Sequence, residues 1–576
     1  MLALVTLVIL GPLGGISASF MNFSVGFFVG GQVLAGLLGS VVTFPYGPEG
    51  KHGGNYIQSM AGSTASMCAM GVLVQAMVWL GLPQPPAWQL FAYFLCIGMF
   101  GAGLGMLYTP LVVDRMQLAF PSGFAVANIL RALTDKDLLK RSIAKLGGGT
   151  VVGYAVGVAS LRYAAVAATG ISASTFGAGL IVGLRIALPA LVVALIGHEI
   201  QPTLVAHHWL APGDPYRKIG FIIGLGGILG AAILDISSIL IQAARTLREK
   251  RPAAADAPDW KRVNRLRLLL WIFFWAAGVL VMGHALLHQP LAYLAAALAL
   301  SVLFVLVNGI SLGISDWNPI SSAFVITVIL FAALGLHDAG TALMCAAVLL
   351  IACSQGGDMQ QDRSTGWRLG TNRVIQFRFQ MIGVALGAAL AIVLAKVFLA
   401  AYPILKVDQF VHHGMPGMEH WQSAMTYKFV GALRGITTSQ PHLIQALKLG
   451  IGLGLAIEVL RKSLKRVPGY RAFASEGLGG RVADFLIDAV FLPSPYASAF
   501  GSFVELPAVM WWTAGGAISS FYAGLEARHR ASGTTDDLPS DMSSSSLVGG
   551  GLIAGDSLAA LSMGVIGLLS TLSAGH

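Results

Sequence analysis

Charge is what this sequence lacks. Of its 576 residues, 36 are Lys or Arg and 26 are Asp or Glu, 11% together. A soluble globular domain carries about 25%. With 56% hydrophobic residues and a mean hydropathy of +0.74, this excludes a soluble multi-domain enzyme, a disordered chain and a fibrous repeat. Cysteine is scarce as well. Cys68, Cys96, Cys345 and Cys353 lie in or beside apolar runs with no CxxC spacing, so neither a disulfide framework nor a structural zinc site is indicated. Catalytic motifs are missing too. No Walker GxxxxGK[ST] and no GxSxG elbow occur, and His198-Glu199 does not open an HExxH because position 202 is Pro. The N-terminus has no basic stretch before its first apolar run, so it reads as a first span and not a removed signal.

What is present is apolar sequence in lengths that cross a bilayer, which takes ~20 residues each. Such stretches recur from 2–20 to 547–572, about sixteen of them. The fold expected is an all-α polytopic membrane protein with re-entrant or broken helices. Glycine is abundant, 71 residues. The runs at 224–230 and 450–454 lack any βαβ context and read as close helix packing. The net charge of +10 follows from four basic loops: Arg131–Lys145, Arg245–Arg267, the group Arg363, Arg368, Arg373 and Arg378, and the group Arg461–Arg471. Basic loops stay in the cytoplasm, so no nucleic-acid partner is needed to explain the charge. The stretch 245–266 reads as a basic cytoplasmic linker between membrane halves 1–244 and 267–576. Three simple spans would put the first two basic loops on opposite sides. One element between Asp114 and Ala243 is therefore expected to be broken, re-entrant or double.

Polar stretches interrupt this apolar background. In Gly50–Ser66, Asn55, Ser59 and Ser63 fall on one helical face with Gln58 beside them. Phe120–Arg131 opens with Pro-Ser-Gly, which starts a helix with Ser122 as N-cap and makes an anion site. Asn308–Asn318 places Asp316 and Asn318 between two spans. Cys353–Gly370 is the richest, with Asp358 and Asp362 one turn apart and Gln361 between them. It reads as the join between an apolar span and a basic loop. Other acids lie in or beside apolar runs: Glu49, Asp235, Glu458, Asp484, Asp488, Glu505 and Asp556. Such acids mark functional positions, and Glu505 is expected to be buried. Asp358 and Glu505 are the candidates for proton coupling. The outer loop Val411–Trp421 gathers His412, His413 and His420 with Met415 and Met418, weak candidates for a soft or borderline metal. Asp484 and Asp488 form a DxxxD pair, which leaves a metal-dependent membrane enzyme acting on a lipid diphosphate as a second class of function. A passive channel is a third.

Several stretches, in order, resemble the oligopeptide transporter (OPT) superfamily. FPSGFAVANILRAL is similar to its FPSG/FPEG segment, and GDMQQDRSTGWRLG to its GDMxQDxKTGxxLG motif. NGISLGISDWNP, YRKIGFIIGLGG, VFLPSPYASAFGSFVE and GGGLIAGDSLAAL resemble further segments of it. Arg363 stands where the family often has a hydrophobic residue, Ser364 where it has Lys, and Asp556 where it has Glu. The resemblance, to a bacterial-type member related to the yellow-stripe-like metal-chelate transporters, implies proton-coupled uptake of short peptides or of siderophore- or nicotianamine-like chelates by alternating access. It implies an inner-membrane, multi-pass protein without a resident cofactor or enzymatic activity, its partners being substrate, protons and lipid. A homo-oligomer is left open. The expected substrate contacts are Asn55, Gln58, Ser59, Ser63, Ser122, Asp316, Asn318, Asp358 and Gln361.

Overall fold

The computed structural model describes all residues except 25–30, 135, 249–257, 317, 410, 413–420, 422, 436–440, 504, 532–542 and 575–576. The described residues are overwhelmingly helical and contain no strand. In a bilayer each backbone N–H and C=O needs an internal partner, and a helix supplies it within one segment.

The principal helices are α1 (Gly11–Ser24), α2 (Gly31–Thr43), α3 (Gly50–Ala69), α4 (Val72–Trp79), α5 (Ala87–Thr109), α6 (Pro121–Thr134), α7 (Lys136–Arg162), α8 (Ala173–Val182), α9 (Leu184–Ala206) and α10 (Arg217–Arg248). They continue with α11 (Arg265–Val281), α12 (Leu291–Ser315), α13 (Ile320–Ala333), α14 (Ala339–Leu369), α15 (Arg373–Ala401), α16 (Ala424–Gly435), α17 (Pro441–Arg466), α18 (Gly477–Leu486), α19 (Leu506–Ala531) and α20 (Ser544–Ala574). Among the described residues, nine helical stretches are long and apolar enough to cross a membrane, and α8 and α13 are apolar but shorter.

The break expected between Asp114 and Ala243 falls at Gly183. The apolar run 173–197 is two helices, α8 and α9, meeting at this residue, whose φ of 78° favours glycine. Likewise 498–525 is not one span. It divides into two four-residue helical turns, Pro495–Ser498 and Phe500–Phe503, followed by α19. The run 477–492 holds only the ten residues of α18 and a five-residue π turn.

The largest correction concerns α14. The sequence reading ends the span near 354 and places the motif in a solvated loop. Instead α14 runs on through the whole motif to Leu369 and stops at Gly370, whose φ is 72°. Its last turns are buried: Arg363 is 1% exposed and Asp362 0%. Arg363 thus does not belong to a basic cytoplasmic loop, and Arg373, 4% exposed at the start of α15, does not either. No proline interrupts Ala339–Leu369, and the glycines inside it serve close packing. A Cβ on Gly356 would lie 3.0 Å from the Gly101 carbonyl of α5. Polar residues continue the helix here because they face other polar residues and not solvent.

Glycine also sets the long seams. A Cβ at Gly226 of α10 would lie 2.7 Å from the Leu447 carbonyl of α17, and one at Gly149 of α7 would lie 2.6 Å from the Val548 carbonyl of α20. Helices from 1–244 therefore pack directly on helices from 267–576.

Candidate functional site

α14 is the axis of the polar interior. α3 and α15 cover one side of it, α12 and α13 another, and the start of α6 a third. Toward α3 and α15 it presents Gln355, Asp358, Asp362 and Thr365, roughly one residue per turn.

The facing residues form a chain of amides and carboxyls. Asn55 Nδ2 donates to Gln58 Oε1 (2.7 Å), and Gln58 Nε2 donates to Asp362 Oδ1 (2.9 Å). Gln376 of α15 donates to Ser59 Oγ (3.0 Å) and to the Asp362 carbonyl (2.7 Å). Its Oε1 accepts from Arg363 Nη1 at 2.8 Å. One turn toward the start of α14, Ser66 Oγ donates to Asp358 and accepts from Gln355 Nε2 (2.7 Å). Gln380 Nε2 donates to the Gln355 carbonyl at 3.3 Å. Asn55, Gln58, Ser59 and Ser63 are all fully buried, so the polar stripe expected on α3 faces the interior. Ser63 is the exception in role, since its hydroxyl bonds back to the Ser59 carbonyl (2.7 Å) in its own helix.

Arg363 is the unusual member. Besides Gln376, its guanidinium donates to the sulfur atoms of Met359 (3.3 Å) and Met106 (3.0 Å). Thioethers are weak acceptors, so a buried cation is held here mostly by soft, polarisable neighbours.

The second cluster joins Ser122, Asp316, Gln361 and Asn318. Ser122 N donates to Asp316 Oδ1 (2.9 Å), its hydroxyl donates to Asp316 Oδ2, and Gln361 Nε2 donates to Asp316 Oδ1 at 3.0 Å. Asn318 Nδ2 donates to the Cys353 carbonyl (3.0 Å), and its Oδ1 accepts from Asn308 (3.1 Å). The helix start at Ser122 does attract an anion, but the chain supplies it: Asp316 caps α6. The residues nearby are strained, with φ of 48° at Gln117, 44° at Phe120 and 62° at Asp316, conformations that non-glycine residues seldom adopt. An equivalent pair occurs at α8, where Asp556 Oδ2 accepts from Ser174 N (2.9 Å) and Ser172 Oγ (3.3 Å).

Other expectations resolve differently. Glu505 is not buried: its side chain is 47% exposed and paired with Arg217 at 2.7 Å. Glu49 is exposed, and Glu458, although buried, is matched by Arg461 (3.3 Å) and Lys462 (3.2 Å) within its own helix. Asp484 and Asp488 share Arg185, and Lys465 reaches Asp488 at 2.6 Å. Desolvation pushes Asp484 upward, but hydrogen bonds from Tyr470 and Arg185 outweigh it and hold the carboxyl below its usual range. These two aspartates are occupied by cations of the chain. Among the described residues, no group of three His, Cys, Asp or Glu side chains converges. His412 is exposed, while His413 and His420 lie outside the described residues, as does the side chain of Asp235.

The sequence reading missed Ser66, Gln355, Arg363, Thr365, Gln376 and Gln380 as members of the site. A usable signal was present for two of them. Gln376 and Gln380 are four apart in an apolar helix, so two amides share one face. Arg373, also at the foot of this site, pairs with Asp114 (2.9 Å) and lies over the Trp260 ring at 5.6 Å, which fastens residues 259–261 of the linker to it.

No curated protein matches the chain. A family model described as OPT oligopeptide transporter protein matches residues 2–566, nearly the whole length. With its helical, multi-span architecture and its buried polar axis, the chain belongs to the OPT family of oligopeptide transporters.

Proposed function

We propose that this protein is a secondary active importer of the inner membrane, driven by protons and working by alternating access. Its substrates on this reading are oligopeptides or metal chelates of the siderophore or nicotianamine type, as for the yellow-stripe-like transporters. The observation that carries the reading is the polar axis of α14. A buried carboxyl, Asp362, a half-buried one, Asp358, and several amides from α3, α14 and α15 sit where lipid-facing helices have no use for them, and polar groups at such depth mark transport pathways. Residues before 244 and after 267 meet at this axis, so a relative movement of the two parts would open it to one side and then the other. Asn55, Gln58, Ser59, Asp358 and Gln361 contribute the substrate-facing surface, with Asn318 and the Ser122–Asp316 pair at its edge. Asp358, held by Ser66, is better placed for a coupling role than the exposed Glu505.

Uptake into proteoliposomes tests this. With an inward proton gradient, a labelled di- to hexapeptide mixture or an iron–nicotianamine complex should accumulate above equilibrium, and an ionophore that collapses the gradient should abolish accumulation. Accumulation indifferent to the ionophore would refute proton coupling, and downhill flux without saturation would favour a channel.

A further inference from the structure

One cation among the packed helices has no anion. Lys428 lies on α16, one turn inside its start at Ala424. Its ammonium donates to Ser321 Oγ of α13 at 3.1 Å and sits over the Phe221 ring of α10, 4.5 Å from the ring centre. Phe429 stacks on Phe324 with centroids 4.1 Å apart, which fixes α16 against α13 at this point. Three helices thus meet at one ammonium group. One of them, α10, comes from the residues before 244, and the other two come from those after 267. Ser321 follows closely on Asn318, which bonds the Cys353 carbonyl about halfway along α14. The ammonium therefore stands near the edge of the polar axis that Asn318 marks.

An ammonium carries three N–H groups. Ser321 accepts one, and a ring face attracts the charge without neutralising it. Among the described residues no carboxylate pairs with Lys428. The other cation of α16, Arg434, is paired with Asp408, and Arg217, one turn before Phe221, holds Glu505 at 2.7 Å. The start of α13 adds further donors. It has no side-chain cap. The N–H groups of Ile320, Ser322 and Ala323 reach the Asn318 and Pro319 carbonyls, but that of Ser321 meets no acceptor among the described residues. The Ser321 hydroxyl accepts from Lys428 and keeps its own hydrogen to donate. Lys428 and Ser321 are both partly exposed, so a solute can reach them. A charge among membrane helices is costly and marks function. One ammonium beside a hydroxyl and a backbone N–H suits a singly charged anion with two oxygens.

We propose that Lys428 and Ser321 bind a carboxylate of the transported substrate, with one oxygen on the ammonium and the other on Ser321. This rests on the transporter reading and narrows its substrates to those with a free carboxylate. Two sources share that chemistry, the C-terminus of a peptide and the carboxyl groups of a nicotianamine-type chelate.

The test reads the rise in melting temperature that a ligand gives the purified full chain in detergent. One arm adds a di- to hexapeptide mixture with free C-termini, with the same mixture amidated at the C-terminus as its control. The other arm adds an iron–nicotianamine complex. The wild type should respond to at least one of the carboxylate-bearing probes, and amidation should remove a response to peptides. Lys428→Met should raise the half-maximal ligand concentration about tenfold or more, as the loss of a charge-assisted hydrogen bond does. Lys428→Arg should keep part of the affinity. Ser321→Ala should cost about threefold, and it decides the matter if Lys428→Met does not fold. A lysine with a purely structural role would shift the melting temperature of the free protein and leave the half-maximal concentration unchanged. That result, a wild type that responds to neither probe, or amidated peptides that bind as the free acids do would overturn the proposal. The uptake assay separates the two readings. Probe binding through Lys428 without gradient-driven accumulation would overturn the transporter reading and leave the site. Accumulation with unchanged apparent affinity in Lys428→Met would leave the transporter reading and overturn the site.

Discussion

The glycine seams and the polar axis are two ways of joining helices in lipid, and they differ in what they leave unfinished. Along α7–α20 and α10–α17, small residues let backbones approach closely, and dispersion supplies the attraction. Along α14, amides and carboxyls meet across α3 and α15, and several acceptors stay unmet. A seam of the first kind is complete as it stands. The second kind keeps unmet polar atoms in the interior, which is expensive unless a ligand uses them.

The largest expected effect comes from blocking a seam. A Cβ on Gly153 would collide with the backbone carbonyl of Leu552, and a backbone atom has no rotamer by which to move aside. Gly153→Leu should destabilise by about 3 kcal/mol or more, as severe overpacking does. Size-exclusion profiles in detergent and the melting temperature check this. A well-folded Gly153→Leu variant would mean that the seam is loose enough to part, which would make it a moving joint.

Next in size is the loss of the amide that ties the polar axis together. Gln376 donates to Ser59 and to the Asp362 carbonyl, and accepts from Arg363. Gln376→Leu removes three hydrogen bonds and leaves a buried cation with only sulfur partners. The expected cost is about 2–3 kcal/mol. The paired test is Arg363→Met. An apolar side chain fits there, since Met106 and Met359 already surround the position, but it takes a donor from Gln376 Oε1 and the neighbouring positive charge from the buried Asp362, and removing one member of a buried charge pair is destabilising. Arg363→Met should therefore melt below the wild-type temperature and, combined with Gln376→Leu, cost less than the sum of the two. Additive effects in that double mutant would separate the two residues energetically.

The same contrast explains what was legible in the sequence. The seams were, because a run such as Gly224–Gly230 in an apolar stretch has few other uses, and Gly226 and Gly230 do meet α17. The break near 183 was legible only as a failure of parity, since Gly183 among many glycines carries no mark of its own. The polar axis was legible in its residues but not in its shape. Asn55, Gln58, Ser59 and Asp358 stand out against their surroundings, yet the end of α14 was placed about four turns too early. Hydropathy assigns polar residues to solvent, and Asp362, Arg363 and Thr365 are instead solvated by side chains of α3 and α15 and by the Gly123 carbonyl of α6. Partners more than 200 residues away in sequence cannot be read from a local window. The anion site at Ser122 failed for the same reason: its occupant, Asp316, lies 194 positions further on.

The smallest effects should come from the two capped helix starts, and these refine the comparison because one lies at each kind of contact. Asp316 caps α6 beside the polar axis and also receives Gln361. Asp556 caps α8 from within the α7–α20 seam, where a Cβ on Gly157 would lie 2.6 Å from its Oδ1. A carboxylate at a helix start contributes about 0.3–1 kcal/mol, up to ~2 when partly buried. Asp316→Asn and Asp556→Asn should thus lower stability by similar, small amounts. Their effects on transport should part. Asp556→Asn changes a finished seam and should leave uptake kinetics close to wild type. Asp316→Asn loosens a cap bonded to Gln361 of α14, beside strained backbone at Gln117 and Phe120, so it should alter the maximal rate more than the apparent affinity. Equal transport defects in the two variants would show that the seam moves with the axis, and the division between a fixed frame and a working centre would have to be redrawn.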